Sequence, residues 1–324
     1  MQRQLKNAAI RVENIVKSFK DVRAVDGVSF GAEEGELFAF LGENGAGKST
    51  SIAMICGLLS GDSGKIYVLG KDIAKDCAAN RFIGVVFQNS VLDKALSARE
   101  NLASRAALYG IVGDAFQKRL AWLNGLLDFS EYIDRPLAKL SGGQRRKIDV
   151  ARALLHDPKI LILDEPTTGL DPQTRKTVWG VVERLRRERG MTVFLTTHYM
   201  EEAARADYVV ILDRGKVAAE GTPRELKNRY TGDFLWLYGA NEDEARRAFG
   251  EAFPRAKRGA DGWKLAVART AEAAALIAKN ADAFSDFEVI KGDMDDVFLA
   301  VTGKVLSEEG GVAAQTKRGK EARR

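Results

Sequence analysis

No apolar run in this sequence reaches the ~20 residues that a bilayer-spanning helix needs, and no signal-peptide core stands at its start. Both absences point to a cytosolic protein. Cysteine is scarce: Cys56 and Cys77 stand alone in 324 residues, without metal-ligand spacing. In a reducing cytosol no structural disulfide is expected between them, and Cys56 reads as a small core residue. A basic face is missing as well. The net charge is +5, yet residues 317–324 hold five basic side chains and one acid, leaving about +1 on residues 1–316. That basicity belongs to a tail, which argues against a nucleic-acid-binding surface. What is present, 45% hydrophobic and 29% charged, is a soluble composition long enough for one large domain and a smaller one.

The most specific stretch is Gly42-Glu43-Asn44-Gly45-Ala46-Gly47-Lys48-Ser49-Thr50, which follows the apolar run Leu37–Leu41. Its spacing is the phosphate-binding loop pattern between a strand and a helix. Gly42, Gly45 and Gly47 let backbone N–H groups converge on a polyphosphate. The helix starting near Lys48 aims its positive dipole end at the same anion. Lys48 supplies a point charge for the outer phosphates, and the Ser49 hydroxyl is suited to Mg²⁺.

Around this loop the chain alternates strands and helices. Residues 9–18 and 22–38 read as extended, with turns near Lys20-Asp21 and Glu34-Gly35, and form a mostly antiparallel β layer. Phe19 reads as a packed hairpin aromatic. Residues 64–70 make a further strand. Ile83–Phe87 is an apolar strand ending at Gln88, an amide at the ligand edge of an α/β sheet. Residues 97–135 read as a helical insertion. Leu140-Ser141-Gly142-Gly143-Gln144 then opens a helix to Leu155, with Ser141 as its N-cap. This is a second anion-binding helix start, more than 90 residues beyond the first. Ile160–Leu163 is apolar enough for a central parallel strand and ends in Asp164-Glu165. Asp164 is placed to hold Mg²⁺, and Glu165 to polarise a water. Gly169-Leu170-Asp171-Pro172 turns into a helix over 173–189. Val193–Thr197 is the next buried strand and ends at His198, whereas His156 reads as structural. A helix at 200–205 and strands at 208–212 and 216–220 follow.

In this order the pieces resemble the ATP-binding-cassette (ABC) ATPase family along residues 9–230. The resemblance implies an α/β P-loop NTPase: a RecA-like core, an antiparallel β subdomain and a helical subdomain at about 89–155. It implies that ATP and Mg²⁺ bind, with Ser49, Gln88 and Asp164 around the metal. Phe19 looks like the aromatic that stacks on adenine, Gln88 like the Q-loop glutamine, Glu165 like the catalytic base and His198 like the switch histidine. Ser141, Gly142, Gly143 and Gln144 resemble the signature that contacts the opposite subunit's nucleotide in a head-to-tail homodimer, with Asp171 near its seam. Family members dock separate membrane permeases on the helical insertion and on residues 89–100, where Val91 and Leu92 are candidate contacts.

Residues 231–303 read as a small α+β unit of ferredoxin-like type: strands at 234–238, 263–268 and 287–290, helices at 242–249 and 271–279. Asp295-Asp296-Val297-Phe298-Leu299-Ala300-Val301-Thr302-Gly303 resembles the C-terminal motif of the drug- and lipid-exporter branch, whose nearest group is the daunorubicin-resistance type. On residues alone, Phe298 and Leu299 would pack a short helix against their own domain. Residues 304–324 read as a disordered basic tail. The resemblance implies an ABC-2 type export ATPase on the cytoplasmic face of the membrane, without nucleic acid. An importer ATPase, or a soluble ABC ATPase acting on nucleic acid or ribosomes, are the alternatives.

Overall fold

The computed structural model describes residue 5 and residues 7–303, and of the Cys77 side chain nothing is described; the tail at 304–324 lies outside the described residues. The first layer is an antiparallel sheet of β1 (Ala8–Phe19), β2 (Val22–Glu33), β4 (Ser63–Val68) and β5 (Lys71–Asp72), in the order β2-β1-β4-β5. The second is a six-stranded sheet: β3 (Leu37–Gly42), β6 (Ile83–Val86), β7 (Ile160–Asp164), β8 (Thr192–Thr197), β9 (Tyr208–Asp213) and β10 (Lys216–Gly221). Its order is β10-β9-β3-β8-β7-β6, parallel except for β10 at one edge.

Every residue of β3, β7 and β8 is buried, as both-face coverage of parallel strands demands. Period-two alternation divides each strand between two cores. Leu37, Ala39, Leu41, Leu161, Leu163, Val193 and Leu195 face the helices. Phe38, Phe40, Ile160, Ile162 and Phe194 face the antiparallel layer and α1 (Lys48–Ile55). There Phe30 of β2 lies 4.9 Å, ring to ring, from Phe40 and 5.4 Å from Phe38. Cys56 joins this core, and burial pushes its thiol up to about 12, which leaves it inert.

On the other face lie α2 (Ala98–Ala107), α3 (Gly113–Leu127), α4 (Gly142–Leu154), α5 (Pro172–Arg189), α6 (Met200–Ala203) and α7 (Pro223–Tyr230). The helical stretch expected over 97–135 is thus broken. A turn containing Gly110 at φ 72° separates α2 from α3, and α3 ends at Asp128 in the left-handed region. Helix α7 had a local signal that the sequence reading passed over: Thr222 and Glu225 form a capping box, with Pro223 in the first turn.

The third sheet, β12-β13-β11-β14, is antiparallel and made of β11 (Asp233–Tyr238), β12 (Lys257–Arg258), β13 (Gly262–Val267) and β14 (Phe287–Lys291). With α8 (Glu242–Phe249) and α9 (Thr270–Lys279) it follows a βαββαβ path, the split-βαβ arrangement, around its own core of Leu235, Leu237, Phe249 and Leu265. The last helix, α10 (Met294–Thr302), corrects the sequence reading. Met294, Val297 and Phe298 leave the small domain and enter the helix-side core of the six-stranded sheet with Leu226 of α7, Ala203 of α6 and Ala219 of β10. Leu299 is 43% exposed rather than packed. The two connecting segments run side by side: Gly292 N–H donates to Gly232 O at 3.1 Å. A Cβ on Gly292 would come within 2.2 Å of Thr231 Oγ1, so glycine is required there.

Candidate functional site

Parallel pairing brings the ends of β3, β6, β7 and β8 to one level, with Leu41 opposite Thr197, Asp164 opposite Thr196 and Val86 opposite Leu163. The carboxyl edge of a parallel sheet is its ligand edge, and the loop at 42–47, Gln88, Asp164-Glu165 and His198 all issue from it. Gly47 caps α1 at φ 104°, and a Cβ there would approach Ala24 O to 2.4 Å. Only glycine lets the loop close against β2.

Glu165 is the centre of the cluster. Lys48 Nζ lies 3.3 Å from its Oε1, and Gln88 Nε2 donates to its Oε2 at 3.1 Å. Thr168 Oγ1 donates to the same oxygen at 3.3 Å. His198 Nδ1 stands 3.4 Å from Oε2, within ion-pair range but without hydrogen-bond alignment. The facing imidazole, with help from Lys48, outweighs burial and brings the Glu165 carboxyl down to about 2. At Lys48 the balance reverses: burial lowers its pKa in spite of Glu165, Asp164 and Glu43. Both groups are buried, and the carboxylate is favoured because Gln88 and Thr168 also donate to it. Lys48 Nζ also donates to Gly42 O at 2.7 Å and Glu43 O at 3.1 Å. The ammonium therefore ties the loop at 42–47 to the acid.

Glu165 sits at φ 45°, a left-handed conformation that costs a non-glycine residue on the order of 1–3 kcal/mol. Its N–H is held by Thr196 O and Thr196 Oγ1, both at 3.1 Å. Thr196 Oγ1 in turn donates to Asp164 Oδ1 at 2.6 Å. The bend turns Glu165 away from Asp164, giving adjacent acids separate surroundings.

The remaining expected residues make contacts of their own. Ser49 is exposed on the first turn of α1. Phe19 is 47% exposed at the end of β1, with the Lys17 ammonium 5.7 Å over its ring. Ser141 and Gln144 form a capping box with each other, at 3.2 and 3.0 Å. Gly143 is packed so closely that a Cβ would lie 2.6 Å from Thr174 Oγ1, and that hydroxyl donates to Asp171 Oδ2 at 2.6 Å. The start of α4 and the Asp171 cap of α5 are thus joined through one threonine.

Two residues were not foreseen. Glu202, 3% exposed, accepts from Thr167 Oγ1, from Thr197 Oγ1 at 2.6 Å and from Trp179 Nε1 at 3.3 Å, locking the turn that carries His198. Arg146, 6% exposed, sends its guanidinium from α4 into the turns after β6 and β7. No sequence signal marks it, because Arg145-Arg146-Lys147 reads as a solvated run.

Residues 25–168 match the family model described as ABC transporter. The chain is 42% identical over 241 residues to linearmycin resistance ATP-binding protein LnrL of Bacillus subtilis, covering 72% of this chain and 76% of that protein. It is 36% identical over 313 residues to daunorubicin/doxorubicin resistance ATP-binding protein DrrA of Streptomyces peucetius, covering 91% and 92%. Nod factor export ATP-binding protein I of a Rhizobium species is 41% identical over 248 residues, covering 74% and 80%. Among solved structures, a dimeric ATP-binding cassette in a post-hydrolysis state with ADP and Pi aligns at a TM-score of 0.61 and 27% identity, covering 66% of this chain and 98% of that one. The chain belongs to the ABC transporter ATP-binding family and is an ATP-binding cassette ATPase.

Proposed function

We propose that this ATPase powers export through separate integral-membrane permease subunits, from the cytoplasmic face of the membrane. The observation that carries the catalytic part is the convergence of Lys48, Gln88 and His198 on the Glu165 carboxylate within 3.1–3.4 Å. In this reading the loop at 42–50 cradles the phosphates of ATP, Phe19 stacks on its adenine and Glu165 orients and deprotonates the attacking water. His198 contacts the terminal phosphate, and Lys48 brings a point charge to it. The donors around Ser49, Gln88 and Asp164 are all oxygens, with one carboxylate, which fits Mg²⁺ shared with substrate phosphates. Bound there, Mg²⁺ neutralises phosphate charge. Ser141, Gly142, Gly143 and Gln144 face the nucleotide of a second copy in a head-to-tail homodimer, with Asp171 at its seam; the Thr174 link between Gly143 and Asp171 supports putting both at one face.

Export rests on the relatives, which are named for drug resistance and Nod factor export. Among the described residues no helix is long and apolar enough to cross a membrane, in keeping with separate membrane subunits. Their seat is a groove of about 900 Å³ lined by Val91, Leu92, Leu108, Tyr109 and His156. Val91 is 57% exposed and Leu108 75%. The test is a tagged pull-down from native membranes in detergent. Recovery of a roughly six-span permease supports export, and recovery of ribosomal or DNA-repair proteins without a membrane partner overturns it. For catalysis, Glu165→Gln is expected to trap an ATP-bound dimer; a monomeric elution with ATP and Mg²⁺ refutes the two-subunit site.

A further inference from the structure

We propose that Arg146 is a positioning residue: through its guanidinium, helix α4 holds the Gln88 and Glu165 turns in the register that hydrolysis requires. The inference rests on the reading of Glu165 as the hydrolytic base.

The geometry is that of one rigid fork gripping two loops. Arg146 Nε donates to Pro166 O at 2.8 Å, and Nη1 donates to Phe87 O at 2.6 Å. Nη2 makes longer contacts, 3.5 Å to Asp164 O and 3.4 Å to Glu165 O. Phe87 immediately precedes Gln88, while residues 164–166 bracket Glu165. Every partner is a backbone carbonyl, so what the side chain fixes is main-chain position.

The strained peptide of Glu165 shows why such a hold matters. Its N–H side is secured by Thr196, as described above. On its carbonyl side the bonds are the long one from Arg146 and one from Thr168 N–H at 3.4 Å, with Arg146 Nε securing the next carbonyl. Without the fork, the left-handed bend is free to relax on that side, and the carboxylate would swing with it.

Among the described residues, no carboxylate is in ion-pair contact with Arg146. Asp149, on the same helix, and Asp164 act on it only at a distance, and burial lowers its pKa. A buried charge held by carbonyl dipoles is a poor source of stability compared with an apolar side chain of the same size. A role in register accounts for a charge at this place.

Helix α4 is a continuous rod whose N-terminus, capped by Ser141, lies five residues from Arg146, roughly 7.5 Å at the α-helical rise. A displacement imposed at Ser141–Gln144 is therefore delivered to both turns at once. Lysine keeps the charge but offers a point donor on a flexible stem, unable to bridge two loops.

The experiment compares full-length wild type, Arg146→Lys and Arg146→Met, with Glu165→Gln alongside. ATP affinity is read with a fluorescent analogue, turnover by phosphate release and folding by thermal midpoint. Expected for both Arg146 variants are an affinity within about threefold of wild type and a kcat at least tenfold lower. Arg146→Lys turning over within twofold of wild type overturns the proposal. So does a parallel loss of affinity, turnover and midpoint, which would mark a purely structural arginine. Glu165→Gln retaining wild-type turnover removes the underlying reading of Glu165. Glu165→Gln inactive beside a fully active Arg146→Lys removes the Arg146 proposal alone.

Discussion

Phe298→Ala is the sharpest probe of how the end of the described chain is held. Phe298 is 1% exposed, within the core that includes Leu226 of α7 and Ala203 of α6. Its neighbour Leu299, on the same short helix, is 43% exposed. Truncating a fully buried phenylalanine costs about 3–5 kcal/mol, part lost transfer energy and part cavity. A surface truncation stays within about 0.5 kcal/mol. For a domain of cassette size each kcal/mol moves the midpoint by about 2–4 °C, so Phe298→Ala should lower the cassette transition by roughly 6–20 °C. Leu299→Ala should leave it nearly unchanged. Differential scanning calorimetry suits the question, because the small sheet has its own core and its transition is expected to stay in place. Equal effects from the two alanines, or a shift confined to the small-domain transition, would refute the docking of α10 on the cassette.

Gly47→Ala should abolish measurable ATP-analogue binding, because the new Cβ meets Ala24 O at 2.4 Å on a backbone at φ 104°; wild-type affinity in a fluorescence titration would reject the loop's assigned role. Glu202→Ala leaves three donors around His198 without an acceptor and should destabilise by about 1–3 kcal/mol for each unsatisfied group. Glu202→Gln should recover part of that loss, and equal urea midpoints for the two variants would contradict the network. Glu165, held at about 2 against its ordinary 4.5, lends stability that is complete above pH 4.5 and lost as pH falls toward 2. Glu165→Gln should therefore show a flatter acid-unfolding curve over that window, measured by circular dichroism, and parallel curves would count against the ion cluster.

The legible parts of the sequence were those whose signal is local. The glycine spacing at 42–47, and apolar runs ending in Gln88, Asp164-Glu165 and His198, carry strand, turn and chemistry within ten residues each, and parallel pairing then has one way to align them. Signals that depend on distant partners were not legible. Arg146 takes its meaning from Phe87 and Pro166, 59 and 20 residues away, and Glu202 from Trp179 and Thr167. The Asp295–Gly303 segment reads as a short helix, but no pattern along the chain says which of two cores Phe298 enters. Helix α7 does carry a local signal, the capping box and first-turn proline of Thr222-Pro223-Arg224-Glu225.

The hydrogen-bonded connections at Gly232 and Gly292 have a mechanical consequence. A module hung from one flexible strand swivels freely and tells its host nothing about how it is pulled. Here the chain leaves the cassette beside Tyr230 and re-enters it at Met294, so the small sheet hangs like a door on two adjacent hinges. Two attachments leave it fewer ways to turn against the rest of the chain than one would. A load on its outer face arrives at α7 and α10 together, at the floor of the cassette core, as torque.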